Sequence, residues 1–88
     1  MKTQMDSVAL CNLVALLVQG MVSDPDAVHV SSRPSPSGST MIQIKVAQGR
    51  DVGKLIGKQG RNARSLRIII QTIGKEQGQD YEVDIDRA

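Results

Sequence analysis

Aromatic side chains are almost absent from this sequence of 88 residues, which has one tyrosine and neither phenylalanine nor tryptophan. RNA-recognition motifs and most OB-folds bind nucleic acid by stacking bases on several exposed rings. Those modules are therefore poor candidates. A module that holds a nucleic-acid strand by its backbone is still possible.

Cysteine and histidine are equally scarce, with Cys11 and His29 as their only representatives. One cysteine cannot form an intramolecular disulfide or a cysteine zinc site, and a single histidine adds too few ligands for a metal cluster. The sequence also has no cofactor motif and no His/Cys or carboxylate pairing suited to catalysis. We therefore expect a protein that is not an enzyme, needs no metal or cofactor and has no small-molecule substrate, with Cys11 as part of the core.

A hydrophobic run long enough to cross a membrane is also lacking. The apolar stretch over residues 8–18 is interrupted only by Asn12 and falls short of the roughly 20 residues that a bilayer requires. The positive charge of Lys2 is offset by Asp6, so the start of the chain does not resemble a secretory signal. We expect a cytoplasmic protein without membrane contact, folded as a single domain over residues 1–88.

Leucine, valine and alanine predict a helix over residues 5–19, followed by a glycine in a C-cap position. Leu10 and Val18 lie on one side of this helix and Ala9 and Leu16 on the other, so both sides need cover. The cover for the second side is either a loop of the same chain or another chain, and the pattern leaves both open.

Alternating apolar and polar side chains predict three strands. The first lies around Val28 and Val30, the second over residues 41–47 and the third around Val83. Between the first two strands, residues 31–39 contain five serines, two prolines and a glycine, which predicts a flexible hairpin loop.

Two further helices lie between the second and third strands. Asp51 is the expected N-cap of a short helix that Gly57 ends. A longer helix begins after Gly60 and is expected to end at Gly74. Its buried stripe consists of Ala63, Leu66, Ile70 and Ile73. The order helix, strand, strand, helix, helix, strand predicts an α+β fold in which helices cover one face of a three-stranded sheet.

Positive charge is concentrated in one segment of the chain. The net charge is only +2, and residues 1–48 balance at zero. Residues 49–67 carry a net charge of +5, because Asp51 is their only acidic residue, whereas residues 68–88 carry −3. The basic side chains of the middle segment are Arg50, Lys54, Lys58, Arg61, Arg64 and Arg67. Such a local excess favours an anionic partner such as a nucleic acid.

Two glycines, Gly57 and Gly60, bracket the centre of this segment, and we name residues 57–60 the glycine loop. No side chain at either edge of the loop keeps a ligand backbone away. The N-terminus of the following helix favours a phosphate group there, and Lys58 adds a full positive charge. Taken alone, two glycines at this spacing fit an ordinary connection between two helices equally well.

A nucleotide-binding P-loop is a further alternative for these glycines, and its spacing fails. That motif needs four residues between its glycines, followed by Lys and then Ser or Thr. Only three residues separate Gly53 from Gly57, and Gln59 follows Lys58. We therefore set a nucleotide triphosphatase aside.

The residues around the glycine loop resemble the signature of KH domains, Ile-Gly-x-x-Gly followed by hydrophobic residues at two three-residue steps. The matching stretch runs from Leu55 to Leu66, and the element order resembles the type II KH arrangement. The short length, Asp-Pro-Asp-Ala at residues 24–27 and Asp-Val-Gly at residues 51–53 are similar to the small bacterial KhpA family. Ala63 stands where a larger residue is usual in the signature, and the Ser/Pro-rich loop is idiosyncratic, so base preference stays open.

This resemblance implies a non-catalytic protein that binds single-stranded RNA and acts as an RNA chaperone or post-transcriptional regulator. KH domains hold about four nucleotides, with the glycine loop clamping their backbone. The residues thereby assigned to RNA are Ile56, Gly57, Lys58, Gln59 and Gly60, to which the neighbouring charges add Lys54, Arg61 and Arg64.

An alternative function is that of an interaction or scaffold subunit. Ile68, Ile69 and Ile70 follow one another on the last predicted helix, and a single core face cannot bury all three. Ile68 and Ile69 are therefore candidate residues of a dimer interface. The resemblance to the KhpA family implies self-association and pairing with a second KH-domain protein, so we expect a homodimer or such a heterodimer besides RNA.

Overall fold

The elements follow the predicted order in the computed structural model, which describes residues 5–47 and 49–87. They are α1 (Ser7–Gln19), β1 (His29–Pro34), β2 (Thr40–Val46), α2 (Gly49–Ile56), α3 (Arg61–Glu76) and β3 (Tyr81–Arg87). Short 3-10 turns at Pro25–Ala27 and Lys58–Gly60 lie before β1 and α3.

The sheet has the strand order β1-β2-β3, in which β1 and β2 are antiparallel and β2 and β3 are parallel. Ile42, Ile44 and Val46 of β2 are fully buried on one face, where they pack against residues of all three helices. Because side chains alternate along a strand, Gln43 and Lys45 lie on the other face, which we call the open face. The predicted α+β fold, with helices on one face of a three-stranded sheet, is confirmed.

The core lies between the covered sheet face and the helices. Cys11 is buried there, as predicted, and burial raises the pKa of its thiol. Its side chain therefore acts as a small apolar group. The core cluster consists of Leu10, Cys11, Val14, Val18, Val28, Ile42, Ile44, Val46, Leu55, Ile70 and Tyr81.

Helix α1 buries only one of its two apolar sides. It begins behind Asp6, whose Oδ1 accepts a hydrogen bond from the N–H of Ala9 at 2.9 Å. On the side away from the core, Val8 and Leu16 each remain 69% exposed. Cover by a loop therefore does not occur within the described residues, and contact with another chain stays a prediction.

The hairpin loop is shorter than predicted, because β1 continues to Pro34 and only residues 35–39 connect it to β2. Proline cannot donate to a strand ladder, but it is tolerated on an edge strand, and β1 lies at the edge of the sheet. Within the loop, the N–H of Ser35 donates to the C=O of Ser39 at 2.8 Å. The Ser37 hydroxyl donates to Glu82 Oε2 at 3.2 Å, which connects the loop to β3.

Helix α3 does not end at Gly74, as predicted, but continues to Glu76. The end comes at Gly78, which has a φ of +69° and donates to the C=O of Lys75 at 3.2 Å. The N–H of Gln79 donates to the C=O of Gly74 at 2.8 Å, which completes a Schellman motif. Gly74 is buried inside the helix, and its glycine serves packing rather than termination.

Neither a membrane-spanning helix nor a metal site is found in the part of the chain that the structure describes. No helix there is both long and apolar enough to cross a bilayer. The same residues contain no group of three histidine, cysteine or acidic side chains arranged to hold a metal ion. The predicted cytoplasmic location stays a prediction.

Candidate nucleic-acid interface

The glycine loop joins α2 to α3 through one tight turn. The N–H of Gly57 donates to the C=O of Gly53 at 2.8 Å, and the N–H of Gly60 donates to the C=O of Gly57 at 3.1 Å. Positive φ angles occur at Gly57 (+76°), Gln59 (+56°) and Gly60 (+75°), and they reverse the chain between the two helices. Lys58 and Gln59 lie exposed at the tip of this turn.

The two glycines of the loop meet different constraints. A Cβ at Gly57 would lie 2.7 Å from Cγ of Asn62, so both the positive φ and the packing exclude a side chain there. At Gly60 a Cβ would meet no atom within 4 Å. The protein itself therefore leaves the space beside Gly60 open, and only the φ of +75° disfavours a side chain at that position.

The N-terminus of α3 opens directly onto the glycine loop. Gly60 is the N-cap and has no side chain with which to cap the helix, and the first turn carries no acidic residue. The first N–H groups and the helix dipole favour an anion at this position. Lys58 and Arg61 add exposed positive charge beside it, and Arg64 lies one turn further along α3. This arrangement suits a phosphate group.

Most of the residues predicted to contact RNA meet at this junction. Ile56 ends α2 and is 40% exposed, and the glycine loop and Arg61 follow it directly. Lys54 differs from the others, because its Nζ donates to the hydroxyl of Ser23 at 2.5 Å, in the turn before β1. Lys54 thus has a contact within the fold, which the sequence pattern did not indicate.

Asp51 is a tether within α2 and not its N-cap, which corrects the prediction. The helix begins at Gly49, so Asp51 lies in its first turn. The fully buried carboxylate accepts hydrogen bonds from the N–H groups of Ser23 at 2.9 Å and Asp24 at 3.3 Å. These bonds, chiefly that from Ser23, lower the pKa of Asp51. The stability they contribute is present above the ordinary carboxyl range and is lost as pH falls through the lowered pKa.

Asn62 is a residue of the site that the sequence analysis missed. Its Nδ2 donates to the C=O of Lys54 at 2.8 Å, and so it connects the start of α3 to the end of α2. Asparagine in the first turn of a helix is ordinary, and the local pattern contains no signal that it reaches across the loop.

Two isoleucines on α3 are exposed, as the sequence predicted from the run of three. Ile68 is 57% exposed and Ile69 is 44% exposed, whereas Ile70 is buried. Ile68 lies on the same side of the helix as Arg61 and Arg64. An apolar side chain therefore lies within a basic helix face.

Two solved structures share the fold at low sequence identity. The whole chain matches 34% of an Aquifex aeolicus Era variant bound to GDP and AlF4⁻, with a TM-score of 0.66 and 14% identity. It also matches 30% of Era in complex with MgGDPNP and a segment of 16S ribosomal RNA, with a TM-score of 0.62 and 12% identity. The chain spans about a third of these proteins, and the likeness shows a common fold.

Several bacterial relatives named RNA-binding protein KhpA match most of the chain. The Streptomyces coelicolor protein is 41% identical over 69 residues, which are 78% of this chain and 81% of the relative. The Treponema pallidum protein is 36% identical over 73 residues, 83% of this chain and 89% of the relative. The Aquifex aeolicus protein is 35% identical over 77 residues, 88% of this chain and 95% of the relative.

The family model for the KH domain of KhpA and KhpB matches residues 12–85, nearly the whole chain. The names of these relatives describe RNA binding and not a catalysed reaction, which agrees with the prediction that the chain is not an enzyme. The resemblance found in the sequence is confirmed, and the chain belongs to the KhpA/KhpB family of KH domains.

Proposed function

We propose that the chain is a non-catalytic module that binds single-stranded RNA and clamps the sugar-phosphate backbone with the glycine loop. The observation that carries this proposal is the uncapped N-terminus of α3 at that loop, beside the exposed cations Lys58 and Arg61. The relatives named RNA-binding protein KhpA support the choice of RNA as the ligand. The exposed Ile56 lines the adjoining groove, in which bases lie.

The charge around the loop supports this function, because its positive side chains are accessible and its one negative side chain is not. All six basic residues of the segment over residues 49–67 are exposed. The single acidic residue, Asp51, is fully buried and hydrogen-bonded to backbone N–H groups. A polyanion approaching the loop therefore meets basic side chains with no exposed acidic residue from the same segment.

Base recognition is expected to be tolerant of sequence. The only aromatic residue, Tyr81, is buried against Gly74, so base stacking on a protein ring does not contribute. Contacts to phosphate and sugar then supply most of the affinity. The prediction that such binding serves an RNA chaperone or post-transcriptional regulatory role stays a prediction.

Titration of a fluorescently labelled single-stranded RNA at several salt concentrations tests the proposed function. We expect the logarithm of the binding constant to fall linearly with the logarithm of salt, with a slope near −0.7 for each phosphate neutralised, or about −2 to −3 for a four-nucleotide grip. Duplex RNA of the same sequence, as the control, is expected to bind more weakly. No binding, or binding that salt does not weaken, would contradict the proposal.

A second candidate function, an interaction subunit, is favoured by the exposure of Ile68 and Ile69. Two large apolar side chains on one exposed helix face are suited to a contact with another chain. The partner is a second copy of this chain or another KH-domain protein. Because Ile68 lies among basic residues, the same helix face serves RNA and a partner subunit, and both readouts have to be measured on each variant.

The substitution Ile69→Tyr is expected to shift a dimer of this chain to monomer, because a larger side chain at a packed interface creates overlap. Sedimentation velocity over a range of concentrations measures this shift. Leu16→Tyr on the exposed side of α1 is the matched control, since it adds the same ring to another exposed apolar site. Dissociation by Leu16→Tyr alone would move the interface to α1, and a monomeric unsubstituted chain would rule out the homodimer.

A further inference from the structure

Asn62 joins the two helices that flank the glycine loop. The bond from Gly57 N–H to Gly53 C=O is the last turn of α2, and the next carbonyl, that of Lys54, has no helical partner once the chain turns away. The side-chain Nδ2 of Asn62 fills that position at 2.8 Å. A residue in the first turn of α3 thus completes the hydrogen bonding at the C-terminus of α2.

The same side chain packs against the backbone of the loop. A Cβ built at Gly57 would lie 2.7 Å from Asn62 Cγ, 2.8 Å from its Nδ2 and 3.0 Å from its Cβ. The amide of Asn62 therefore occupies the space that a side chain at Gly57 would take. Contact on one side and a hydrogen bond on the other hold the first glycine of the loop in its φ of +76°.

The remainder of the loop lacks comparable support from side chains. Gly60 has open space around its Cβ position, and Gln59, a residue with a side chain, adopts a φ of +56°. The cations that face an anion at the α3 N-terminus, Lys58 and Arg61, lie between and beside these residues. Their placement relative to the helix N-terminus therefore depends on the point at which the loop is anchored, which is Asn62.

We infer that Asn62 is a positioning residue for RNA binding, which holds the glycine loop and its cations in the geometry that grips a phosphate. This inference rests on the proposed function. Asn62 carries no charge, and it acts through the charged residues beside it. An uncharged residue whose removal lowers the number of phosphates neutralised must act in this indirect way.

Two measurements on Asn62→Ala test the inference. The affinity for a labelled single-stranded RNA is expected to fall about fivefold to tenfold, as for loss of one hydrogen bond. The salt dependence is expected to become shallower by up to about 0.7, one phosphate contact. In the absence of RNA, the heteronuclear NOE of the Lys58 and Gln59 amides is expected to decrease, because the loop gains freedom.

The matched control is Thr72→Ala, which removes a 2.7 Å hydrogen bond from the Thr72 hydroxyl to the C=O of Ile68, far along α3 from the loop. It should change neither measurement. Asn62→Ser is the second variant, in case Asn62→Ala does not fold. An unchanged NOE in the loop, or a loss of affinity with an unchanged salt slope, would overturn the inference. If the unsubstituted chain fails to bind RNA, the proposed function fails, and the NOE alone still decides whether Asn62 orders the loop.

Discussion

Replacing Lys58 and Gln59 together by aspartate is expected to weaken binding of single-stranded RNA by about fiftyfold to a hundredfold while leaving the fold intact. The two substitutions change the charge at the tip of the glycine loop by three units. Each unit charge about 5 Å from a phosphate is worth roughly 0.8 kcal/mol in water, so three units approach about 2.5 kcal/mol. Both side chains are exposed, so their replacement removes no core contact.

The matched control for this variant is Lys75→Asp with Gln79→Asp. It replaces the same residue types with the same change of charge, and both positions are exposed. They lie near the opposite end of α3, about 20 Å from the loop at 1.5 Å per helical residue. Fluorescence anisotropy measures the affinities, and circular dichroism checks the fold. Equal losses in both variants would mean that overall charge, and not the loop, determines binding.

Gly74→Ala is expected to destabilise the protein by about 1 to 3 kcal/mol, as overpacking of a filled core usually does. A Cβ at this position would lie 2.5 Å from Cδ2 of Tyr81 and 2.7 Å from the carbonyl oxygen of Gln79. The second of these is a backbone atom, which cannot turn aside like a flexible side chain. Tyr81 begins β3, so the overlap pushes α3 away from the sheet.

Gly53→Ala is the matched control, and the opposite sign is expected. Gly53 lies in the interior of α2, and a Cβ there would meet no atom within 4 Å. Alanine in place of glycine inside a helix stabilises by about 0.5 to 1 kcal/mol. Thermal denaturation separates the two cases, since 1 kcal/mol shifts the midpoint by about 4 to 8 °C in a domain of this size. A Gly74→Ala variant as stable as Gly53→Ala would show that α3 and Tyr81 are not packed as described.

The element order and the core stripes were predictable because they depend on local periodicity. Ile42, Ile44 and Val46 alternate along β2, and Leu66 and Ile70 recur at helical spacing along α3. The structure buries all five of them, as the periods of two and 3.6 residues require. The concentration of charge around the glycine loop was also readable, because it is a property of the sequence alone.

The errors concern residues whose roles depend on distant partners. Gly74 matches the sequence signal of a helix end, yet it is a glycine because Tyr81 packs on it. Asp51 matches the signal of an N-cap, yet its carboxylate bonds to Ser23 and Asp24, which are 28 and 27 residues away. Pro34 suggested a loop, because the sequence does not reveal which strand lies at the edge of the sheet.

The candidate site was predictable to a similar depth. The glycine loop, its cations and the exposed Ile68 and Ile69 follow from motif and period. The contacts of Asn62 and Lys54 were not predictable, since each joins a side chain to another element across a turn. These two contacts, together with the tether at Asp51, explain how two short helices hold a loop that has little core of its own.

The position of RNA on the protein is the central claim, and NMR chemical-shift mapping tests it most directly. Uniformly labelled protein is titrated with a short single-stranded RNA, and the backbone amides that move are recorded. We expect the largest shifts at residues 57–60 and in the first turn of α3, with smaller ones at Ile56. Shifts confined to the open face of the sheet, around Gln43 and Asp84, would contradict the account.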